Sequence, residues 1–344
     1  MKFIVTLLFG LFLISCSNES EDIIYNNETF QDIVSIANRK NKAFCIVLID
    51  STQNSSQKYC SNIRYKKRIA DNAIYNIVDI NFSPHEWYMK WVYPMSLPLT
   101  CIFSKDGLLV DLIPGATKET FLYTKEAISN MKMTKYHYPN RFNLTKQRVI
   151  PLLNQILKCK TDLERGIYTS TILDNSIDSL KYPFPYYLKI VGELMENDTI
   201  ESRLIAKSML ELENPYSLEL FRNEFIVAKS TLYPNFNIND EPNIRVDKNV
   251  IYLADCRLGE EIPITVLIYN DGNRPLDVLG IFTSCSCLKQ INYTEKFTVS
   301  SKDSTVVNFK FKAGEQGEAI RDIFIASNAI NKPILYVKVQ ANIL

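Results

Sequence analysis

The residues best suited to chemistry in this sequence are its cysteines, of which there are eight in 344 residues. Two of them stand close together in Cys285-Ser286-Cys287. Such a pair could form an easily reduced disulfide, supply two thiolates to a metal ion, or serve as two small side chains in a turn. The pattern favours the turn, then the disulfide, then the metal. A closed zinc site needs four ligands, and no histidine lies nearby in the sequence.

Composition excludes several other kinds of chemistry. Only two histidines occur, His85 and His137, which leaves almost no basis for His-rich metal sites or His-dependent catalysis. Lys and Arg number 39 against 38 Asp and Glu, and this balance argues against nucleic acid as a partner, because phosphate binding needs a basic surplus. The chain shows no nucleotide-binding loop and no nucleophile elbow. We therefore predict no cofactor and no metal.

The first residues carry a targeting signal. Lys2 precedes an apolar run over residues 3–14, which is shorter than the roughly 20 residues of a membrane-spanning helix and has the length of a signal-peptide core. The run ends in Leu13-Ile14-Ser15-Cys16, and the chain then becomes polar. The alternative interpretation is an ordinary secretory signal with a chance cysteine.

This ending resembles the lipobox of bacterial lipoproteins of the Bacteroidota type. The resemblance implies that residues 1–15 are removed and that Cys16 is acylated and holds the chain in the membrane. The location implied is the cell envelope, at the outer membrane, facing either the periplasm or the outside. Residues 16–27, with acidic side chains at Glu19, Glu21 and Asp22, are predicted to form a solvated tether.

The next segment, residues 28–140, has alternating helix and strand patterns. Apolar spacing predicts a helix over residues 30–37, and continuous apolar runs predict buried strands at residues 44–49 and 75–80. The Asp-Gly pair at Asp106 and Gly107 lies between two further apolar runs, which indicates a hairpin.

This order resembles a thioredoxin-like domain, and Leu97-Pro98 stands where that family places a cis-proline. The resemblance implies a Cys-x-x-Cys motif at a loop-to-helix junction, where the helix N-terminus lowers the pKa of the first thiol. Here Asn54-Ser55-Ser56-Gln57 occupies the place. Asn54, Gln57 and Pro98 thus mark a degenerate redox motif, and the domain is predicted to be redox-inactive. Cys60, which could pair with Cys45 or Cys101, is predicted to be structural, since cysteines are usually buried.

The middle and the end of the chain differ in character. Residues 141–235 carry apolar positions at helical spacing, with Pro183 and Pro215 expected to end helical stretches. The segment around residues 163–168 resembles the turn of a tetratricopeptide repeat, although a plain helical domain explains the same residues.

In the preceding segment, Trp87 and Trp91 lie one helical turn apart, which predicts packing in the core or between domains or, as the alternative, an exposed aromatic patch.

Residues 236–344 alternate short strands with turn signals, which predicts a β-sandwich. Residues 269–276 and the Cys285–Cys287 segment resemble a Hydin-type, Ig-like domain of unknown function that is common in Bacteroidota lipoproteins. That family carries Cys-Gly-Cys where this chain has Ser286. No activity is established for the family, so the resemblance implies a fold alone.

The sequence thus predicts a multidomain α+β protein: a thioredoxin-like α/β domain, a helical middle and a C-terminal Ig-like β-sandwich. The function predicted is that of a lipid-anchored, non-catalytic binding or scaffold module, with the membrane and an unidentified envelope protein or peptide as partners. The alternative is a thiol-disulfide oxidoreductase or redox chaperone that uses Cys60, Cys101 or the Cys285/Cys287 pair.

Overall fold

The computed structural model describes residues 24–65, 73–82, 85–291 and 296–344. These residues form two compact units. The first runs to Tyr88 and resumes over Pro94–Pro139, and the second combines Met89–Tyr93 with Asn140–Leu344. The predicted signal peptide, Cys16 and most of the predicted tether lie outside the described residues.

The first unit contains a five-stranded sheet with helices between its strands. Its elements are β1 (Ile24–Asn26), α1 (Phe30–Lys40), β2 (Ala43–Ile49), α2 (Asn54–Tyr65), β3 (Ala73–Asp79), α3 (Trp87–Val92, which continues into the second unit), β4 (Leu99–Phe103), β5 (Leu109–Pro114) and α4 (Lys118–Asn130). The strand order is β1-β3-β2-β4-β5. Strands β1, β3 and β2 are parallel, whereas β4 runs antiparallel to β2, and β5 runs antiparallel to β4.

The sheet forms because its inner strands are rich in apolar residues, and β2 is apolar throughout. Six of the seven residues of β2 are buried, as expected for a strand covered on both faces. Gly107, at φ +84°, makes the turn between β4 and β5, in a conformation that a side chain would disfavour.

One boundary differs from the prediction. Residues 24–26, expected to belong to the tether, form strand β1 and pair in parallel with residues 75–77 of β3. Ile24 and Tyr25 are half-buried at the edge of the sheet. Three residues are too few for a strand pattern to be recognised in the sequence.

The second unit begins with helices. They are α5 (Lys146–Leu163), α6 (Asp174–Leu180), α7 (Pro183–Met195), α8 (Thr199–Leu210) and α9 (Pro215–Leu232), with a 3₁₀ turn at Ser170–Leu173. Trp91 is buried here and donates its indole N–H to the carbonyl of Leu153 at 2.9 Å.

The expected role of the two prolines is wrong. Pro183 and Pro215 begin α7 and α9 instead of ending the preceding helices. Proline has no N–H to donate and a fixed φ close to the helical value, so the first helical position accommodates it without loss.

The remainder of the second unit is a β-sandwich of two sheets. Its strands are β6 (Ile244–Val246), β7 (Val250–Tyr252), β8 (Glu261–Asn270), β9 (Leu276–Thr283), β10 (Leu288–Gln290), β11 (Phe297–Val299), β12 (Ser304–Lys312), β13 (Gly317–Ser327) and β14 (Ile334–Ile343). One sheet has the order β10-β12-β8-β6 and the other β11-β9-β13-β14-β7. Buried and exposed residues alternate along β12, and the inward residues of both sheets form one core.

An ion-pair network joins the helices to the sandwich. Lys229 of α9 donates to Glu241 at 2.8 Å and to Glu213 at 3.0 Å, and Arg274 donates to the second oxygen of Glu241 at 2.8 Å. Burial acts to lower the pKa of Lys229, but the two carboxylates outweigh it and the pKa is raised. The helical and β-rich segments, predicted as separate domains divided at residue 235, therefore lie in one compact unit.

Candidate functional site

The predicted degenerate motif lies at one edge of the sheet in the first unit. Strand β2 ends at Ile49, and α2 begins at Asn54 after a short polar loop. Asn54 and Gln57 are exposed, and Gln57 donates its side-chain amide to the carbonyl of Ser51 at 2.8 Å. The peptide bond between Leu97 and Pro98 is cis and directly precedes β4.

A polar cluster that sequence analysis missed fills the loop beside Asn54. Asp50 accepts hydrogen bonds from the hydroxyl of Thr52 at 2.6 Å, from Gln53 at 2.9 Å and from Asn81 at 2.9 Å. Asn81 also donates to Asp79, the last residue of β3, at 3.2 Å. The signal for Asp50 was its position at the head of a polar run after a buried strand, whereas nothing in the sequence connects it to Asn81.

These hydrogen bonds set the charge of the cluster. The Thr52 hydroxyl is the main cause of the lowered pKa of Asp50, with Asn81 and Gln53 adding to it against a smaller opposing effect of burial. For Asp79, burial acts to raise the pKa, and the hydrogen bonds from Ser51 and Asn81 together outweigh it, so the pKa is lowered. Both carboxylates are therefore ionised at neutral pH.

The lowered pKa values predict a pH dependence of stability. A carboxylate with a depressed folded-state pKa stabilises the fold above its unfolded value of about 3.9, and that contribution is lost as the pH falls through the folded value. We expect Asp50→Asn to be less stable than wild type at pH 7 and the two to converge below about pH 4. Urea unfolding at pH 7, 5 and 3.5 measures this, with Asp106→Asn in an exposed turn as the matched control. A constant difference at all three pH values would contradict it.

The thiols of the first unit are poorly placed for exchange. Cys45 on β2 and Cys101 on β4 are completely buried, and burial raises the pKa of both thiols far above the usual range. Cys60 on α2 is half-buried. All three are thiols in the structure, so the pairing considered from the sequence does not occur.

The second predicted pair forms a bond. Cys285 and Cys287 are joined by a disulfide in the connection between β9 of one sheet and β10 of the other. The ranking that placed two free thiols in a turn above a disulfide is therefore wrong for this structure. The crossing from one sheet to the other brings the two Cα atoms to 5.2 Å, a separation that a disulfide spans.

The backbone around the disulfide is anchored from both sheets. Ser284 and Asp322 exchange two hydrogen bonds: the Ser284 N–H donates to the Asp322 carbonyl at 2.9 Å, and the Asp322 N–H donates to the Ser284 hydroxyl at 2.8 Å. From the other sheet, the Lys312 N–H donates to the carbonyl of Cys287 at 2.8 Å. The connection is held independently of the sulfur–sulfur bond.

A cationic side chain lies against one of the two sulfurs. The Nε of Arg321, on β13, donates to Sγ of Cys287 at 3.3 Å. Both cysteines are half-buried and pack against the sandwich core, while Ser286 between them is exposed. A guanidinium at this distance stabilises negative charge on sulfur. Arg321 lies 34 residues from Cys287, and no sequence signal points to it.

Two features are absent from the part of the chain that the structure describes. Within them, no group of three or more His, Cys, Asp or Glu side chains is arranged to hold a metal ion. The same residues include no helix with the length and apolar character that crossing a bilayer requires.

Comparison with known proteins yields no family. No protein-family model matches the chain, and no curated protein matches it. Among solved structures, a protein of unknown function from Porphyromonas gingivalis W83 is 20% identical, covering 32% of this chain and 50% of that one, with a TM-score of 0.27. The chain thus spans about half the length of that protein.

Two further structures have similar scores. A PapD-like domain of human CEP192 is 8% identical over 32% of this chain and 91% of its own, with a TM-score of 0.26. The secreted serine protease VesC of Vibrio cholerae is 15% identical over 30% of this chain and 23% of its own, with a TM-score of 0.25. Scores of this size carry no conclusion about fold or function. The architecture seen directly is mixed α+β with several sheets.

Proposed function

We propose that this chain is a lipid-anchored protein of the cell envelope that acts as a non-catalytic binding module. The anchor is proposed from the lipobox-like ending at Cys16, which lies outside the described residues. The binding role is proposed from the first unit, where a fold suited to thiol chemistry carries none of the thiols it would need.

The first unit is proposed to be thioredoxin-like. Its strand order, with two parallel pairs followed by two antiparallel ones, supports this assignment, as does the cis peptide bond at Pro98 before β4. The sandwich is proposed to be Ig-like, on the two facing sheets and their common core. The successive packing of α7, α8 and α9 supports a helix-pair repeat as a proposal.

The observation that carries the non-catalytic assignment is the chemistry at the start of α2. Asn54 and Gln57 present amides to solvent, and an amide cannot replace a thiolate in disulfide exchange. The buried Cys45 and Cys101 do not supply one, because burial raises the pKa of both thiols. Exposed amides and hydroxyls can still hydrogen-bond a partner.

The same edge presents some apolar surface. Met95, which precedes the cis-proline, is 55% exposed and Phe82, which follows β3, is 53% exposed. Contiguous apolar patches rimmed by polar groups mark protein-interaction sites, and we propose that these two side chains contribute to one. We propose an envelope protein or peptide as the partner.

Insulin reduction by the detergent-solubilised chain tests the proposal. We expect no activity from wild type or from Cys60→Ser, and a gain of activity when Asn54→Cys and Gln57→Cys are combined, because that variant restores two thiols at a helix N-terminus. Reduction by wild type that Cys60→Ser abolishes would overturn the non-catalytic assignment. Failure of the double variant to gain activity would count against the thioredoxin-like assignment of the first unit.

The proposed lipid anchor has its own test. In cells, Cys16→Ser should release the chain from the membrane fraction.

A second candidate function is thiol–disulfide exchange in the sandwich. One observation favours it: the disulfide between Cys285 and Cys287 has the guanidinium of Arg321 against one sulfur. This candidate is independent of the amides in the first unit, and insulin reduction by wild type that Cys60→Ser leaves intact and Cys285→Ser abolishes would favour it over the non-catalytic assignment.

A further inference from the structure

The two sulfurs of the disulfide in the sandwich have different surroundings, because Arg321 donates a hydrogen bond to Cys287. This difference favours one of the two sulfurs as the point of attack by a thiolate. We infer that Cys285 is the sulfur attacked by an incoming thiolate and that Cys287 is the leaving sulfur, held as a thiolate by Arg321. This inference rests on the second candidate function above and specifies its mechanism.

The contacts of the two cysteines differ. Sγ of Cys287 accepts from Nε of Arg321 at 3.3 Å. The hydrogen bonds described at Cys285 reach its carbonyl instead, from the Thr283 hydroxyl at 3.1 Å and from the Leu288 N–H at 3.4 Å. Arginine keeps its charge at every physiological pH. Because the thiol that forms the more stable thiolate leaves faster, cleavage is biased toward release of Cys287.

Charged residues on both sheets are bonded to this connection through their backbones. The N–H of Lys312, on β12, donates to the carbonyl of Cys287. Asp322 on β13 bonds through its backbone to Ser284, on the Cys285 side. These are backbone contacts, so the direction of cleavage rests on the side-chain hydrogen bond from Arg321 to Cys287.

The surrounding structure can tolerate opening of the bond. The Cys285–Cys287 bond spans a sequence separation of only 2, and a disulfide that closes so short a loop restricts the unfolded chain less than a long-range one. The backbone anchors from Asp322 and Lys312 do not depend on it. Exposed Ser286 and the adjoining Phe282, 53% exposed, place the connection at the surface.

Each exchange reduces one protein disulfide with two thiolates. A thiolate R–S⁻ attacks Sγ of Cys285, a new sulfur–sulfur bond forms between R and Cys285, and the electron pair of the broken bond leaves on Cys287 as a thiolate. A second thiolate of the same class then attacks the sulfur of R, which releases Cys285 and R–S–S–R. The protein disulfide gains two electrons, two R–S⁻ are oxidised to one disulfide, and solvent protonates the thiolates as the pH allows. The reductant is a thiol, either a small molecule or a protein dithiol.

Mapping of the mixed disulfide tests the direction. The detergent-solubilised full chain is treated briefly with glutathione or, in a second arm, with reduced thioredoxin, quenched with acid, and digested for mass spectrometry. We expect glutathione on Cys285. In fully reduced protein we expect Cys287 to be alkylated by iodoacetamide at a pH about one unit lower than Cys285. In Arg321→Gln that gap should close and cleavage by glutathione should slow about tenfold, whereas Arg321→Lys should keep part of both effects.

The direction of attack and thiol–disulfide exchange itself can fail independently. Glutathione on Cys287, or equal alkylation profiles in wild type and Arg321→Gln, would overturn the direction of attack while leaving exchange itself intact. A disulfide that resists both thiols would overturn exchange as a function. Cleavage by thioredoxin alone would identify a protein dithiol as the source of the thiolate. Arg257→Gln, an exposed arginine of the same sandwich, is the matched control and should behave as wild type.

Discussion

Asn270→Asp is expected to destabilise the second unit by about 3–5 kcal/mol, the range for a buried charge without a counter-ion. The side chain of Asn270 is 1% exposed. Its amide nitrogen donates to three carbonyls, those of Arg274 at 2.8 Å, Ser300 at 3.1 Å and Val299 at 3.2 Å. A carboxylate would direct an anionic oxygen at these carbonyls, so three acceptors would lose their donor and face a negative charge.

The loss has a consequence for the whole sandwich because Asn270 joins separate segments. Its carbonyl oxygen accepts from the N–H of Gly272 at 3.0 Å and from that of Asn243 at 3.4 Å. One side chain thus connects the entry to β6, the turn after β8 and the end of β11. Strands β6 and β8 pair with each other, but β11 belongs to the other sheet, so no backbone ladder connects it to them.

Urea unfolding followed by circular dichroism measures the change, with Asn235→Asp, an exposed asparagine, as control. The buried carboxyl would have a raised pKa, so its ionisation penalty is absent below the unfolded pKa of about 3.9 and grows as the pH rises. The gap between variant and wild type should therefore be smaller at pH 4 than at pH 7. An equal gap at both pH values, or no gap, would show that Asn270 does not have this role.

Gly192→Ala is expected to have the second-largest effect, about 2–4 kcal/mol of destabilisation. A Cβ at Gly192 of α7 would clash with the ring of Tyr168. The ring can move away only by giving up the hydrogen bond from its hydroxyl to Glu193, now 2.7 Å, and Glu193 is buried. These costs exceed the roughly 0.5–1 kcal/mol that alanine contributes over glycine inside a helix.

A double-mutant cycle distinguishes this clash from a general intolerance of the helix. In a Tyr168→Ala background the obstacle is absent, and the same Gly192→Ala change should stabilise by about 0.5–1 kcal/mol. The matched control is Gly314→Ala, where no heavy atom lies within 4 Å of the added carbon. If Gly192→Ala destabilises equally with and without Tyr168, the explanation by ring contact is wrong.

Much of the local structure follows from patterns in the chain. The apolar runs at residues 44–49 and 75–80 coincide with β2 and β3, and the Asp-Gly turn coincides with the β4–β5 hairpin, because hydrophobic continuity and turn chemistry act over a few residues. Short strands such as β1 and β6 had no recognisable pattern, since three residues carry too little periodicity. Pro183 and Pro215 were expected to end helices but begin them, because a proline occurs both at the first position of a helix and just after its end.

The positions of the thiols can be read directly from the chain: amides stand at the start of α2, two cysteines lie two residues apart near the end, and Cys16 follows an apolar run. The surroundings of these residues depend on the fold. It buried Cys45 and Cys101 in the sheet, closed the bond between Cys285 and Cys287, and brought Arg321 to one of its sulfurs. The reason is that the reactivity of a thiol depends on burial and on charges a few ångströms away, and those charges come from strands distant in the chain.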